Sequence, residues 1–400
     1  MKYIIVLGDG MADEPLEELG GKTPLADAHT PMMDELGRMG EVGMVHTIPQ
    51  GMNPGSDTAN LSVLGYDPAI YYSGRSPLEA LSIGVPMADT DIAIRCNFVT
   101  VSEEESDFAA KTMIDHSADE IATEDCKILL QAVREAFTTE EFQFYTGTSY
   151  RHCLIWQEGR AADLTPPHDI LTRKIGEYLP KEEPLYRMME KSHQLLKDHP
   201  INIERKKQGL RPANCCWFWG AGTKPRLTSF AEQTGKKGMM VSAVDLLKGI
   251  AVGAGMGVAQ VAGANGGLHT NYAGKVQAGL DALLKDGYDF AYIHVEAPDE
   301  MGHQGSVTRK VQAIEYLDEK VIAPLAAGLK AAGMDYRMLI LPDHPTPVRL
   351  RTHTDAPVPY LLYDSRCQQE NPHPYHEQGA QESGIVVTKG HILIHKLLEK

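Results

Sequence analysis

The chain has 400 residues, 42% of them hydrophobic and 23% charged, with a formal net charge of −16. That length and apolar content suffice for two packed domains, while the acidic balance excludes a global attraction for nucleic acid or for an anionic membrane. Six cysteines (Cys96, Cys126, Cys153, Cys215, Cys216 and Cys367) form no C-x-x-C pair, so free thiols in a reducing cytoplasm are expected.

Met1 leads directly into Tyr3-Ile4-Ile5-Val6-Leu7, a run too short for a secretory signal. No uninterrupted apolar stretch approaches the roughly 18–20 residues of a membrane helix. The expectation is a soluble, cytoplasmic protein with neither nucleic acid nor membrane as partner. Homo-oligomerisation is left open. No internal repeat or low-complexity tract stands out.

Tyr3–Leu7 reads as a buried strand, and Gly8-Asp9-Gly10 follows it. The stretch NPGSDTANLSVLGYDP, residues 53–68, sets Ser56 between a Pro-Gly turn and a short helix that Gly65 would stop. A serine there is either a helix cap or a nucleophile facing a row of backbone N–H groups. The middle of the chain, residues 86–234, is less regular. VSEEESD and LPKEEP read as loops, and KDHPINIERKKQGLRP reads as a polar connection. This part is expected to be a second, inserted domain, with residues 1–85 and 235–400 forming the first.

The glycine-rich VGAGMGVAQVAGANGG lacks the lysine of a phosphate-binding loop and is read as close packing. Phe290–Val295 is a second buried strand, followed by Glu296-Ala297-Pro298-Asp299 and His303. Val311, Ile314, Leu317, Val321 and Leu325 recur at helical spacing, and Gly333 is the expected stop. Met338–Leu341 is a third strand, followed by Pro342-Asp343-His344, with His353 nine residues further on. Pro359–Tyr363 is read as a fourth strand of the same buried parallel kind. Strands alternating with helices predict an α/β fold around a mostly parallel sheet.

In open α/β sheets, ligands sit beyond the carboxyl ends of the strands. Three strands here end in Asp9, in Asp299 with His303, and in Asp343-His344 with His353 following. Mixed Asp and His donors favour Zn²⁺ or Mn²⁺ over Ca²⁺. Three aspartates and three histidines exceed one tetrahedral site and suit a pair of divalent ions, an arrangement used in phosphoryl transfer. Beside such ions a serine hydroxyl becomes a competent nucleophile.

Several stretches together resemble one family from end to end. They are GDGMAD, GKTPLADAHTPMMDELG, PGSDTANLSVLGYDP, SGRSPLEALSIGV, RCNFVT, HVEAPDEMGHQG and LPDHPTPVRLRTHTDAPVP. The chain resembles the archaeal-type cofactor-independent phosphoglycerate mutases of the alkaline phosphatase superfamily. The resemblance implies an alkaline-phosphatase-like core, residues 1–85 and 235–400, and an inserted α+β cap, residues 86–234, that closes over substrate. It implies one ion held by Asp9, Ser56, Asp343 and His344, and another held by Asp299, His303 and His353. Ser56 would be phosphorylated in interconverting 3- and 2-phosphoglycerate, a glycolytic isomerisation, with no bisphosphoglycerate cofactor. Lys248 is matched to a lysine that follows the return from the cap in the bacterial branch. The small phosphorylated substrate also needs cationic partners for its carboxylate, and Arg75, Arg95, Arg151 and His152 are the candidates.

One departure bears on substrate. Many archaeal relatives carry a D-R-R-A-G-R-I motif where this chain reads Asp115-His116-Ser117-Ala118-Asp119-Glu120-Ile121. A bacterial subgroup with this type of N-terminal opening has been proposed to act as homoserine kinases. Asp119 or Glu120 would then face the substrate ammonium. A metal-dependent phosphatase and a non-catalytic binding protein of the same fold are the remaining alternatives.

Overall fold

A computed structural model describes residues 1–160, 162–367 and 370–398. In chain order its strands are β1 (Lys2–Gly8), β2 (Glu41–Val45), β3 (Ile92–Val101), β4 (Met113–Asp115), β5 (Phe142–Tyr145), β6 (Arg151–Trp156), β7 (Cys215–Thr223), β8 (Gly238–Val241), β9 (Gly257–Val258), β10 (Phe290–Val295), β11 (Tyr336–Leu341), β12 (Val358–Asp364) and β13 (Val386–Val387). The chain divides into two compact units, Met1–Tyr72 with Arg226–Lys400, and Ser73–Pro225. Both junctions fall earlier than the expected 85/86 and 234/235. Helix Arg75–Ser82 packs on β3 and β7 and so belongs to the second unit, while helix Phe230–Thr234 contributes Phe230 against Phe290 of the first.

The first unit is built on an eight-stranded sheet in the order β13-β2-β12-β11-β1-β10-β8-β9. Its central strands are apolar on both faces, since helices cover both sides. β1 runs parallel to β10 on one side and to β11 on the other, with Gly8 opposite Val295 and Leu7 opposite Leu341. The sheet is mostly parallel, as the strand–helix alternation predicts. β12 is the exception, antiparallel to both β11 and β2. A buried apolar run such as Pro359–Tyr363 records burial on two faces and carries no information about direction. The reversal has a consequence: the start of β12, not its end, lies at the edge where β1, β10 and β11 finish.

The helical pattern near residue 311 also differs in detail. The helix spans Val307–Leu317, widens into a π turn over Asp318–Ile322 and continues as Ala323–Ala331, with Gly333 just beyond at φ +62°. The buried stripe is Lys310, Ala313, Ile314 and Leu317, so it starts on a lysine and leaves Val311 only half-buried. The Lys310 ammonium has no solvent exposure. It bonds Asp13 Oδ2 at 2.7 Å, the Thr346 carbonyl at 2.8 Å and the Ala12 carbonyl at 3.1 Å. All three ammonium protons are used, and the loop after β1 is tied to the loop after β11.

The second unit carries a five-stranded antiparallel sheet in which β3 pairs with β4, β6 and β7, and β6 pairs with β5. Helices Thr123–Phe137 and Glu183–Leu196 cover one face around Phe98, Leu129, Met189 and Trp217. Where a polar connection was expected, Pro200–Lys207 is a helix. His199 caps it by accepting from the Ile201 N–H, and Asn202 and Arg205 turn inward. Proline at the first helical position and three basic residues in the last turn are the signals that the polar composition concealed. All six cysteines are free, and only Cys367 is exposed. Among the described residues, no helix is long and apolar enough to cross a membrane.

Replacing Lys310 by Met is expected to cost about 3–5 kcal/mol of stability, because the Asp13 carboxylate would remain buried without its partner. Urea denaturation would measure this, with the double variant Lys310→Met, Asp13→Leu recovering part of the loss. A Lys310→Met cost below about 1 kcal/mol would show that the pin is dispensable.

Candidate active site

Three adjacent parallel strands deliver the main donors. β1 ends at Gly8, and the Asp9 N–H continues the ladder to the Val295 carbonyl at 3.0 Å. β10 passes into helix Ala297–His303, which puts Asp299 and His303 one turn apart, with His303 Nε2 3.2 Å from Asp299 Oδ2. β11 is followed by Asp343 and His344, both without solvent exposure. The reversed strand β12 accounts for His353, which precedes Val358 by a short loop and so lies at the same edge. Its Nε2 is 2.9 Å from His303 Nε2 and 3.4 Å from Asp299 Oδ1, and its ring stacks on His344 with centroids 3.9 Å apart.

Ser56 arrives from the end of β2, which points the same way as β11. It is the first residue of helix Ser56–Val63, and Gly55 is the N-cap. The Ser56 hydroxyl is not at the capping position and meets His344 Nε2 at 3.1 Å. Four residues on, Asn60 Nδ2 donates to the Ser56 carbonyl at 2.8 Å and to Asp343 Oδ2 at 2.9 Å. The backbone is crowded here. Gly10 has φ +60°, and a Cβ on it would meet Asp299 Oδ1 and Thr346 Oγ1, both at 2.5 Å.

All seven side chains singled out at the strand ends and at Ser56 therefore lie together. Two groups have donor atoms within 4.8 Å of one another and could hold a cation: Asp9, His294 and Asp343, and Asp299, His344 and His353. The resemblance puts His344 with the first group. The structure makes it common to both, since Nε2 is 3.5 Å from Asp9 Oδ1 and 3.4 Å from Asp343 Oδ2 while the ring packs on His353. Asp9 Oδ1 is buried with no hydrogen-bond partner. An orphaned carboxylate oxygen amid carboxylate and imidazole donors is what a divalent ion would satisfy.

The charges are strongly perturbed. Burial, then Asp343 and Asp299, push Asp9 well above the usual carboxylate range. Burial also acts to raise Asp299, but hydrogen bonds from His303 and His353 hold it well below that range. The bond to Asp299 raises His303 to about 9. Burial lowers His344.

Sequence reasoning missed a supporting layer. His294, inside β10, places Nε2 3.0 Å from Asp9 Oδ2 and Nδ1 3.1 Å from Glu296 Oε1. Glu296 Oε2 is in turn 2.9 Å from the fully buried Lys275 ammonium. Against burial, Glu296 and Asp9 hold the His294 imidazole up at about 10. The available signal was phase: Lys275 shares the buried stripe of helix Tyr272–Leu284 with Tyr272, Gly279 and Ala282, just as Lys310 shares its own with Ile314.

The cationic candidates divide. Lys248 lies in helix Asp245–Gly253 and pairs with Asp245 at 3.2 Å. In the second unit, Arg95 opposes Trp219 across β3–β7 and lays its guanidinium 4.4 Å from that ring centroid. Glu79 accepts from Arg75 Nε at 2.8 Å and forms an ion pair with Arg95 at 3.2 Å. From Trp219, ring contacts continue through His168, His116 and Tyr150 to Arg151. His152 does not join them. It opposes Cys96 on the other sheet face and packs edge-on against Phe98, 4.9 Å between centroids. Successive strand residues point to opposite faces, so Arg151 and His152 cannot both line one site. Asp119 is likewise engaged, accepting from the Arg211 N–H at 2.7 Å with Nη1 3.4 Å away.

Burial depresses His152 to about 3. A histidine with its folded pKa below its unfolded value, about 6.5, contributes stability above pH 6.5 that is lost as pH falls toward 3. Between those limits wild-type stability should fall more steeply than that of His152→Asn, by at most about 1.4 kcal/mol per pH unit. Chemical denaturation from pH 7 to pH 4 would detect the difference; parallel profiles would show that His152 does not resist protonation.

Residues 37–202 match the family model for 2,3-bisphosphoglycerate-independent phosphoglycerate mutase. The chain is 47% identical over 405 residues to a Geobacter sulfurreducens protein named "Probable 2,3-bisphosphoglycerate-independent phosphoglycerate mutase", covering 100% of both. It is 44% identical over 401 residues to a Methanothrix thermoacetophila protein named 2,3-bisphosphoglycerate-independent phosphoglycerate mutase, again covering 100% of both. Among solved structures, a Pyrococcus horikoshii protein superposes with a TM-score of 0.83 at 28% identity, covering 100% of this chain and 98% of that one. The cofactor-independent phosphoglycerate mutase of Thermoplasma acidophilum gives a TM-score of 0.66 at 25% identity, covering 100% and 99%.

Proposed function

The chain belongs to the 2,3-bisphosphoglycerate-independent phosphoglycerate mutase family, and we propose that it interconverts 3- and 2-phosphoglycerate through a phosphoserine at Ser56. The observation that carries this reading is the meeting of Ser56 Oγ with His344 Nε2, 3.1 Å apart, at the edge where Asp9, Asp299, Asp343, His303 and His353 converge.

Two divalent ions are part of the proposal, with Asp9, Ser56, Asp343 and His344 holding one and Asp299, His303 and His353 the other. Mn²⁺ or Zn²⁺ suits these oxygen and imidazole donors. Bound there, they supply charge neutralisation for a transferring phosphoryl group and a lowered pKa for the serine hydroxyl. Ser56 gives up its hydroxyl proton as Oγ forms the new bond to phosphorus, the bond from phosphorus to the 3-oxygen of the substrate breaks, and that oxygen takes up a proton. In the second transfer the 2-hydroxyl gives up its proton as its oxygen bonds to phosphorus, and Ser56 Oγ leaves and takes up a proton, restoring the serine. The N-terminal end of helix Ser56–Val63 favours negative charge beside Ser56 through the helix dipole. Asn60 holds the Ser56 carbonyl and Asp343 in fixed relation. Within the second unit, the face bearing Arg75, Arg95 and Arg151 is the proposed binder of a carboxylate, with Arg95 braced against Trp219. Lys248, paired with Asp245, is given no role in this reading.

In an enolase-coupled assay with 3-phosphoglycerate, Mn²⁺ and no added bisphosphoglycerate, the wild-type protein should turn over. Ser56→Ala should lose at least about 10³-fold in kcat while retaining metal, because it removes the nucleophile and leaves the other donors in place. Turnover by Ser56→Ala at the wild-type rate would refute the phosphoserine. Homoserine-dependent ATP consumption, or release of free phosphate without isomerisation, would instead favour a kinase or a phosphatase.

A further inference from the structure

Thr346 follows His344 by two residues and is fully buried. Its Oγ1 donates to Asp299 Oδ1, and the same oxygen is 3.3 Å from His344 Nδ1. A hydroxyl has one proton, and an ionised carboxylate has none to give. The Thr346 proton therefore goes to Asp299, so the oxygen can meet His344 only as an acceptor. This assigns the His344 hydrogen to Nδ1 and leaves Nε2 as a bare lone pair. Nε2 is the atom that faces Ser56 Oγ, Asp9 Oδ1 and Asp343 Oδ2.

We infer that Thr346 is a positioning residue whose single hydroxyl sets both the tautomer of His344 and the orientation of Asp299, coupling the two donor groups. The inference rests on the metal-dependent reading above. Three features behind the hydroxyl leave it little freedom. Lys310 Nζ holds the Thr346 carbonyl at 2.8 Å. The Thr346 N–H donates to the Ala12 carbonyl at 3.2 Å. Helix Ala297–His303 presses on Thr346 through Gly302, where a Cβ would come within 2.5 Å of the Thr346 carbonyl oxygen and 2.9 Å of Cγ2. These contacts fix the backbone from which the hydroxyl projects, and partners behind a ligand tune its affinity by about 10–100-fold.

The test uses the full-length protein stripped of metal, in wild-type, Thr346→Val, Thr346→Ala and Thr346→Ser forms. Each is titrated with Mn²⁺, and free Mn²⁺ is followed by electron paramagnetic resonance. Wild type and Thr346→Ser should take up two ions. Thr346→Val and Thr346→Ala should bind at least one of the two about 10–100-fold more weakly. Nitrogen chemical shifts of ¹⁵N-labelled histidine in metal-free wild type should show His344 protonated at Nδ1, a readout independent of metal uptake. Wild-type affinity in Thr346→Val and Thr346→Ala, or a His344 proton found on Nε2, overturns the inference. Wild type that takes up no Mn²⁺ while its His344 proton sits on Nδ1 sinks the metal-dependent reading and leaves the tautomer assignment standing. Thr346→Ala and the wild-type spectrum decide the matter if Thr346→Val fails to fold.

Discussion

Three carboxylates are forced close together out of water, and that constraint organises the first unit. Asp9 and Asp343 follow adjacent parallel strands, and Asp299 sits one helical turn past a third. Burial, and then repulsion from Asp343 and Asp299, push Asp9 well above the usual carboxylate range. The fold does not relieve the repulsion by letting water in. It surrounds the group with donors: His294 from β10, His353 from the approach to β12, and the Asn60 amide.

The relief is partial, and its incompleteness is informative. His294 ties down Asp9 Oδ2 but leaves Oδ1 buried without a partner. Asn60 and the His344 N–H take up oxygens of Asp343, and Thr346 takes up one of Asp299. Of the three acids, Asp9 is the one held by one oxygen and presented by the other. Two further buried charges serve this arrangement at a distance. Lys275 balances Glu296, which holds His294; Lys310 balances Asp13 and holds the Thr346 carbonyl. Buried ion pairs of this kind add little net stability, because desolvation offsets attraction, but they tolerate few alternative geometries. A scaffold that must hold several donors near one another benefits from that intolerance.

The second unit solves a different problem with the same economy of faces. Strand alternation puts Cys96, Phe98 and His152 on the face of its antiparallel sheet that helices cover, and Arg95, Arg151 and Trp219 on the other. Burial lowers Arg95, with Glu79 opposing that effect, and the flat Trp219 ring supports the guanidinium where no further carboxylate is needed.

The sequence by itself determined the periodicities, the turn points and the identities of the groups that follow each strand. From these, an α/β unit with a mostly parallel sheet was legible, and so was a gathering of Asp9, Asp299, His303, Asp343 and His344, because parallel strands end on one side; Ser56 and His353, which the strand ends do not place, were assigned to it by the family resemblance. Direction and phase across space were not legible. An apolar run such as Pro359–Tyr363 looks the same whichever way it runs, and only pairing with β2 and β11 reversed it and so delivered His353. Arg151 and His152 are neighbours in the chain, yet the pleat separates them onto opposite faces. Lys275, His294, Lys310 and Thr346 acquired their partners only when segments distant in sequence closed around them, since a buried polar group is defined by what surrounds it. Tertiary structure decided those contacts because hydrogen-bond reach is a few ångströms and chain order says little about proximity on that scale.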